Sequence, residues 1–488
     1  MRLIGVGNRI AGLVCLVLLA GCQGLQPDFT ELYRSHDLAA IKTPPVVIVP
    51  GLLGSRLVDA DTGEEVWPGS LLDVALGTYR QLAVPLPAAG AIAAAQLDTM
   101  RLQPAGITET EFGRDFYGQL IDTLVNYGGY VRFEPGAPVA ADSQRRVYIF
   151  DYDWRQDNVT TVRQFHDFIQ QIRADYADPT LKVDVIAHSM GGLMARYYLR
   201  FGTEDVLNDN RLQVTWQGAD AINKMILLGT PNLGSVSAIE GFIRGQSVGL
   251  RRIPPQVVAT LPSTYQLFPH RIVRWLYDTH GSHVDQDQFD VDTWRTFQWN
   301  IFAPEVRAEV ETRHGQAYYG ALVEQFSRYA ERARRFSWAL TVCPNYEEDL
   351  GGCPDVSEPP LKLVVFGGNC SLTPARWILE GRNDQPGSLP VVRFSPAQIR
   401  QPMPGIDYQQ LMYDPGDGTV TKPSLLARDA LSPNTPRHAF SYFPLAYSFL
   451  LCEEHATLTG NAHFQANLLD VLLTRALPWE LHKDHAER

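Results

Sequence analysis

The chain has 488 residues, 45% hydrophobic and 20% charged, with a formal net charge of −12 at pH 7. This is ordinary globular composition, enough for one large core or two domains. The acidic balance and the scatter of Lys and Arg argue against nucleic acid as a partner but leave lipid open, because contact with lipid can be apolar.

The first nine residues carry Arg2 and Arg9, and Ile10 to Leu19 is apolar. A basic start, an apolar run and small residues before a cut site read as a secretory signal over 1–21. The run is too short to span a bilayer. Leu19-Ala20-Gly21-Cys22 resembles a bacterial lipobox. That resemblance implies cleavage before Cys22, lipidation of Cys22 and an exported, membrane-anchored lipoprotein. Gln23 rather than aspartate follows, which points to the outer membrane and its periplasmic side. Residues 22–43 are the expected tether. In an oxidising compartment the remaining Cys343, Cys353, Cys370 and Cys452 are candidates for disulfides, with three pairings open. No Cys-x-x-Cys or matched His spacing appears, so no metal site is expected, and no cofactor either.

Val46-Val47-Ile48-Val49 reads as a buried strand, and Pro50-Gly51-Leu52-Leu53-Gly54-Ser55 follows it. A glycine-rich turn after a strand can aim backbone N–H groups at a reaction centre. Residues 56–115 read as irregular. Phe116 to Tyr127 has helical spacing, Val147 to Phe150 reads as a strand, and Val159 to Tyr176 reads as an amphipathic helix. Lys182 to Ala187 is a further strand, and His188-Ser189-Met190-Gly191-Gly192 opens a helix. Lys224 to Leu228 and Leu361 to Gly368 are two more buried strands. Alternating strands and helices predict a mostly parallel sheet flanked by helices, the α/β-hydrolase arrangement. Its two parts are 44–235 and 361–488. Between them, 236–360 breaks the alternation, is rich in aromatics and arginine, and reads as an inserted cap with helix-like pieces at 268–277 and 316–336. Residues 371–412 read as a long excursion with room for a hairpin, and a last helix runs from about Ala462 to Leu473.

Strand, tight turn with a serine, then helix is the grammar of a nucleophile elbow, which needs small residues two before and two after the serine. Ala187 and Gly191 hold those places, and Ala187 departs mildly from the usual glycine. A serine hydroxyl needs a base, and the base needs an orienting acid. On this fold they follow in the order Ser, acid, His. Asp417, in Gly416-Asp417-Gly418-Thr419-Val420, is the chosen acid, with Asp414 as runner-up. His455 is the chosen base. His463 sits within the last helix, His438 is a weaker candidate, and His188 reads as packing or positioning the turn. The backbone N–H of Met190 and of Leu52 fit the two oxyanion donors.

Taken together, Val49-Pro50-Gly51-Leu52-Leu53-Gly54-Ser55, Tyr152-Asp153-Trp154-Arg155, Ala187-His188-Ser189-Met190-Gly191-Gly192, Gly229-Thr230-Pro231-Asn232-Leu233-Gly234-Ser235, Pro262-Ser263 with Leu267-Phe268-Pro269, Gly416-Asp417-Gly418-Thr419-Val420 and His455 resemble the lecithin:cholesterol acyltransferase family, which includes lysosomal phospholipase A2. The resemblance runs in order from about Pro44 to Leu473 and is weak in the cap. It implies an enzyme that takes an acyl chain from a glycerophospholipid onto Ser189 and passes it to an alcohol or to water. It also implies that Asp153-Trp154-Arg155 is structural. The family's early disulfide has no cysteines here, and a lipid anchor would substitute for the membrane contact that loop provides. A general lipase or carboxylesterase shares the elbow and the Gly-Thr-Pro segment. An anchored lipid-binding lipoprotein with a dead site is the non-enzymatic alternative.

Overall fold

Val46–Val49 (β1) is apolar and β-branched at every position and is buried along its whole length. Such a strand is stable only at the centre of a sheet covered on both faces. The computed structural model describes residues 44–69, 77–86, 101–111, 114–139, 144–208, 212–249, 251–344, 359–381, 388–428, 438 and 441–473. The expected signal, Cys22 and tether lie outside these residues, as does Cys353. No helix among the described residues is long and apolar enough to cross a membrane.

Six further strands join β1 in one sheet: Tyr130–Arg132 (β2), Arg145–Ile149 (β3), Val183–His188 (β4), Ile222–Leu228 (β5), Leu363–Gly368 (β6) and Leu445–Leu451 (β7). Their order is β7-β6-β5-β4-β1-β3-β2, and every pairing is parallel. All the strands therefore point their carboxyl ends to one edge, where an open α/β sheet forms its binding crevice. β4 lies between β1 and β5, with Ala187 level with Val49 on one side and Leu227 on the other.

Helices cross between the strands. Gly118–Asp122 (α1) continues into one π-helical turn over Thr123–Tyr127. Asn158–Asp175 (α2) is capped by Asp157, whose carboxylate accepts from Val159 N–H. Met190–Phe201 (α3) is buried at every position, including Arg196 and Arg200, whose guanidinium groups donate to Leu340 O and Val342 O. Ala462–Leu473 (α6) packs against inner strands, with Phe464 5.1 Å from Phe366 of β6 and Lys224 Nζ of β5 donating to Val471 O at 2.8 Å.

Between β5 and β6 the segment adds an aromatic cluster continuous with the core under the sheet. It includes Val236–Arg244 (α4) and the 26-residue helix Gln316–Thr341 (α5). The Phe242 ring meets those of Tyr265, Trp294 and Phe326 with centroids 4.6, 5.2 and 5.7 Å apart. Tilted and edge-on aromatic contacts of this kind explain the segment's aromatic content. The helix expected over 268–277 does not form. Pro269 has no N–H to give, His270 N–H is taken by Leu233 O, and Leu276–Asp278 is a strand parallel to Trp377–Glu380. Trp377–Glu380 in turn pairs antiparallel with Val391–Arg393, so the excursion after β6 and the inserted segment share one small sheet. Residues 56–115 are likewise more regular than expected. Ser55–Asp59 pairs antiparallel with both Glu65–Trp67 and Leu102–Ile107.

α5 is fastened to the hydrolase core by charge. The Arg332 guanidinium reaches Asp157, the cap of α2, at 2.8 Å and Asp205 at 3.0 Å. The two hydrogen-bonded carboxylates outweigh partial burial and push the Arg332 pKa further up. Replacing Arg332 with Ala removes both pairs and leaves two carboxylates facing each other. The expected loss is about 1–3 kcal/mol of stability, measured by urea unfolding.

Candidate active site

Ser189 follows β4 directly, at φ 51° and ψ −123°, and α3 begins at the next residue. This conformation is nearly reserved for glycine and costs about 1–3 kcal/mol, so the surrounding packing must enforce it. Glycines make the room. A Cβ on Gly51 would lie 2.7 Å from the Ser189 Cβ, one on Gly191 would strike the Pro50 carbonyl, and one on Gly192 would strike the Thr230 side chain. At Ala187 the single methyl is fully buried in the sheet.

His455 sits on the loop that leaves β7, and three ties hold that loop. A disulfide joins Cys370, just past β6, to Cys452, just past β7, with Cα atoms 5.0 Å apart. His455 N–H donates to Asp417 O at 2.9 Å, and Thr459 Oγ1 donates to Phe116 O at 2.7 Å. Cys343 is also disulfide-bonded.

Asp417 directly follows the strand Tyr413–Gly416, which is paired antiparallel with Ser371–Pro374. Its backbone packs against Gly368 at the end of β6, where a Cβ would lie 2.7 Å from the Asp417 Cβ. The Gly229–Ser235 loop anchors this region. Asn232 Nδ2 donates to Leu425 O at 2.6 Å, Leu233 N–H to Ser424 Oγ at 3.1 Å, and Ser235 Oγ to Thr419 O at 2.6 Å.

The structure thus brings Ser189, His455 and Asp417 together at the carboxyl edge. His455 Nε2 is 2.9 Å from Ser189 Oγ, and Nδ1 is 2.8 Å from Asp417 Oδ2. The other Asp417 oxygen accepts from the N–H groups of Thr419 at 2.9 Å and Val420 at 2.6 Å. Burial pushes the Asp417 pKa up, but the His455 charge and hydrogen bond, with those two N–H groups, outweigh it and hold the acid below its ordinary value. An ionised acceptor there fixes the Nδ1–H tautomer of His455 and turns Nε2 to the serine as a base.

Leu52 follows β1 and Met190 follows β4, so both backbone N–H groups rise from adjacent strands. Neither donates to a protein acceptor among the described residues. Aromatic donors fix the loop bearing Leu52. Tyr152 Oη donates to Pro50 O at 2.9 Å, Trp67 Nε1 to Leu53 O at 2.9 Å, and Trp154 Nε1 to Ser55 O at 3.1 Å. Arg155 closes on Asp153 at 2.8 Å, so the Tyr-Asp-Trp-Arg segment acts as a scaffold under the loop.

The other candidates stand elsewhere. Asp414 pairs with Arg376 at 3.2 Å, and His463 lies in the first turn of α6. His438 O accepts from Ser441 N–H at 2.9 Å. His188 has its Nδ1 2.8 Å from Tyr117 Oη. Tyr117, which no motif marks, lies 66 residues from Gly51, whose N–H donates to Tyr117 Oη at 2.9 Å. Among the described residues no group of three or more His, Cys, Asp or Glu could hold a metal ion.

A nucleophile elbow at the carboxyl edge of a parallel sheet flanked by helices makes the chain an α/β-hydrolase. Residues 116–337, a little under half of the chain, match the family model described as lecithin:cholesterol acyltransferase. The match contains Ser189 and stops short of Asp417 and His455. Comparison with curated proteins found no match. Among solved structures, one described as the Tle4-Tli4 complex shares the fold at 17% identity and TM-score 0.52, covering 88% of this chain and 98% of that one. The Bacillus licheniformis lipase BlEst2 in mature form is similar at 11% identity and TM-score 0.32, covering 89% of this chain and 93% of that chain. EstA from Clostridium botulinum is similar at 13% identity and TM-score 0.34, covering 93% of each. Family and fold support a lipid ester hydrolase or acyltransferase.

Gly51→Ala forces its methyl into the Ser189 Cβ. Ester hydrolysis is expected to fall about a hundredfold in kcat, with a small change in urea midpoint. The depressed pKa of Asp417 also has a signature in stability. An acid whose folded pKa lies below its unfolded 3.8 adds stability that is fully present above 3.8 and is lost as pH falls through the folded value. The urea midpoint of the wild-type chain should therefore drop more steeply below about pH 4 than that of Asp417→Asn.

Proposed function

We propose that the protein is a serine-dependent acyl-ester enzyme of lipid metabolism, acting on glycerophospholipid through an acyl-serine as an O-acyltransferase or phospholipase. The observation that carries this is the hydrogen-bonded line from Ser189 Oγ through His455 to Asp417, set at an elbow. Ser189 Oγ attacks the ester carbonyl carbon while His455 Nε2 takes the hydroxyl proton. The tetrahedral oxyanion accepts from the N–H groups of Leu52 and Met190, each worth about 3–4 kcal/mol in enzymes of this type. Collapse breaks the bond to the leaving alcohol, which takes the proton from Nε2, and leaves the acyl group on Ser189. In the second half His455 takes a proton from an acceptor hydroxyl, on an alcohol or on water. That oxygen then attacks the acyl carbon and releases Ser189.

The segment between β5 and β6 serves in this reading as the cap that selects the acyl chain and acceptor. The chain would be exported and held at a membrane by lipid on Cys22, on the periplasmic side of the outer membrane, which keeps the site beside its substrate. A protein partner is a further expectation, since the Tle4 structure is a complex.

Incubating the protein with phosphatidylcholine vesicles, with and without a long-chain alcohol, tests the chemistry. Ser189→Ala should lower the release or transfer of fatty acid by at least about a thousandfold. Undiminished release from that variant would rule the mechanism out. New alcohol ester in the products assigns transfer, whereas free acid alone at every alcohol concentration assigns hydrolysis.

A further inference from the structure

A second line of hydrogen bonds runs behind the first. Gly51 N–H donates to Tyr117 Oη at 2.9 Å. With that acceptor position filled by a donor, the phenol directs its own proton to His188 Nδ1, 2.8 Å away. The opposite ring nitrogen, His188 Nε2–H, then donates to His455 O at 3.3 Å. The rings follow the same path. Tyr117 meets His188 edge-on at 5.5 Å, and His188 lies 4.9 Å from His455.

Each end of the line touches a working part of the site. Gly51 precedes Leu52, one of the two oxyanion donors. His455 is the base. His188 is bonded directly to Ser189. The tyrosine is itself held from both sides, because Tyr117 N–H donates to Glu109 O at 3.1 Å and Thr459 Oγ1 anchors the neighbouring Phe116 O at 2.7 Å. Three loops that leave different strands, β1, β4 and β7, are connected through two side chains.

Resting on the acyl-serine reading above, we infer that Tyr117 and His188 are a pair of positioning residues that set the oxyanion loop and the base loop in register. Both side chains act in the neutral form. Removal from water, and the neighbouring His455 charge, push His188 down to about 3, and burial pushes the Tyr117 phenol up. Each therefore keeps one proton and one lone pair across the working pH range, and the line keeps a single direction. A charged His188 would place a second cation against the imidazolium that His455 becomes during the reaction, whereas a neutral one leaves that charge to Asp417.

The test uses the full chain and hydrolysis of p-nitrophenyl butyrate. Tyr117→Phe keeps the ring and deletes the hydroxyl. The expected result is a fall in kcat of about ten- to hundredfold with KM within about twofold of wild type, the pattern of misplaced groups rather than lost binding. His188→Asn keeps an acceptor for Tyr117 near the place of Nδ1, whereas His188→Leu keeps none. The Asn variant should retain at least about five times the kcat of the Leu variant. Because the two residues act as a unit, Tyr117→Phe combined with His188→Leu should be no slower than His188→Leu alone, within about twofold.

A Tyr117→Phe enzyme with wild-type kcat, or losses that multiply in the double variant, would overturn the inference. If Tyr117→Phe does not fold, the His188 comparison decides, and equal kcat for the Asn and Leu variants overturns it. Ser189→Ala, run alongside, separates the two levels. An active Ser189→Ala removes the acyl-serine reading itself. An inactive Ser189→Ala beside an unimpaired Tyr117→Phe removes only the positioning pair.

Discussion

Ser189 occupies a backbone conformation that a serine does not choose, and the packing around it supplies the reason it stays there. The strand before it is buried at the centre of the sheet, the helix after it is buried at every position, and the turn between them presses on Gly51 from β1. Strain of about 1–3 kcal/mol is small against the apolar burial of β4 and α3, so the sheet and helix win and the turn yields. Once that turn is fixed, the Ser189 hydroxyl has one place to be. The loops bearing His455, Asp417 and Leu52 each have to arrive at that place from a different strand.

The arrival is arranged by polar contacts, and they are specific. Backbone carbonyls at Pro50, Leu53 and Ser55 each take a hydrogen bond from an aromatic side chain, which adds apolar bulk and a directed donor at once. The loop from Gly229 to Ser235 does the same for the acid through Asn232, Leu233 and Ser235. A disulfide and two hydrogen bonds place His455. Each loop at the sheet edge is thus tied to its neighbours at defined atoms, which is what orientation of reacting groups requires.

How much of this could be read from the residues depended on how local each signal was. β1, β4, β5 and β6 are short β-branched or apolar runs, and the elbow carries its steric requirement in adjacent positions, so both were visible. Asp417 and His455, which meet Ser189 in the structure, were chosen through turn chemistry and chain order rather than periodicity. Tyr117 was not visible, because its meaning lies in Gly51 and His188, 66 and 71 residues away. The stretch 268–277 has apolar residues at helical spacing, yet tertiary contacts decided it. Leu276–Asp278 found a strand partner at Trp377–Glu380, and Leu233 O captured the N–H of His270. The strands at 55–59, 65–67 and 102–107 were hidden by Gly, Pro and a register shift that breaks the alternation. The pairing of Cys370 with Cys452 could be narrowed only once β6 and β7 were known to be neighbours.

The glycines around Ser189 carry a consequence for how such a site can diversify. Gly51, Gly191, Gly192, Gly229 and Gly368 each have an atom of the catalytic frame where a side chain would begin. Almost any single substitution there replaces a hydrogen with a collision, so the frame offers no gradual path to a new preference. Beyond the Gly229–Ser235 loop, the aromatic cluster of Phe242, Tyr265, Trp294 and Phe326 supplies none of those atoms. Variation on this scaffold is therefore easier to accommodate in that cluster than at the five glycines, where the atoms around Ser189, Asp417 and His455 stand in the way.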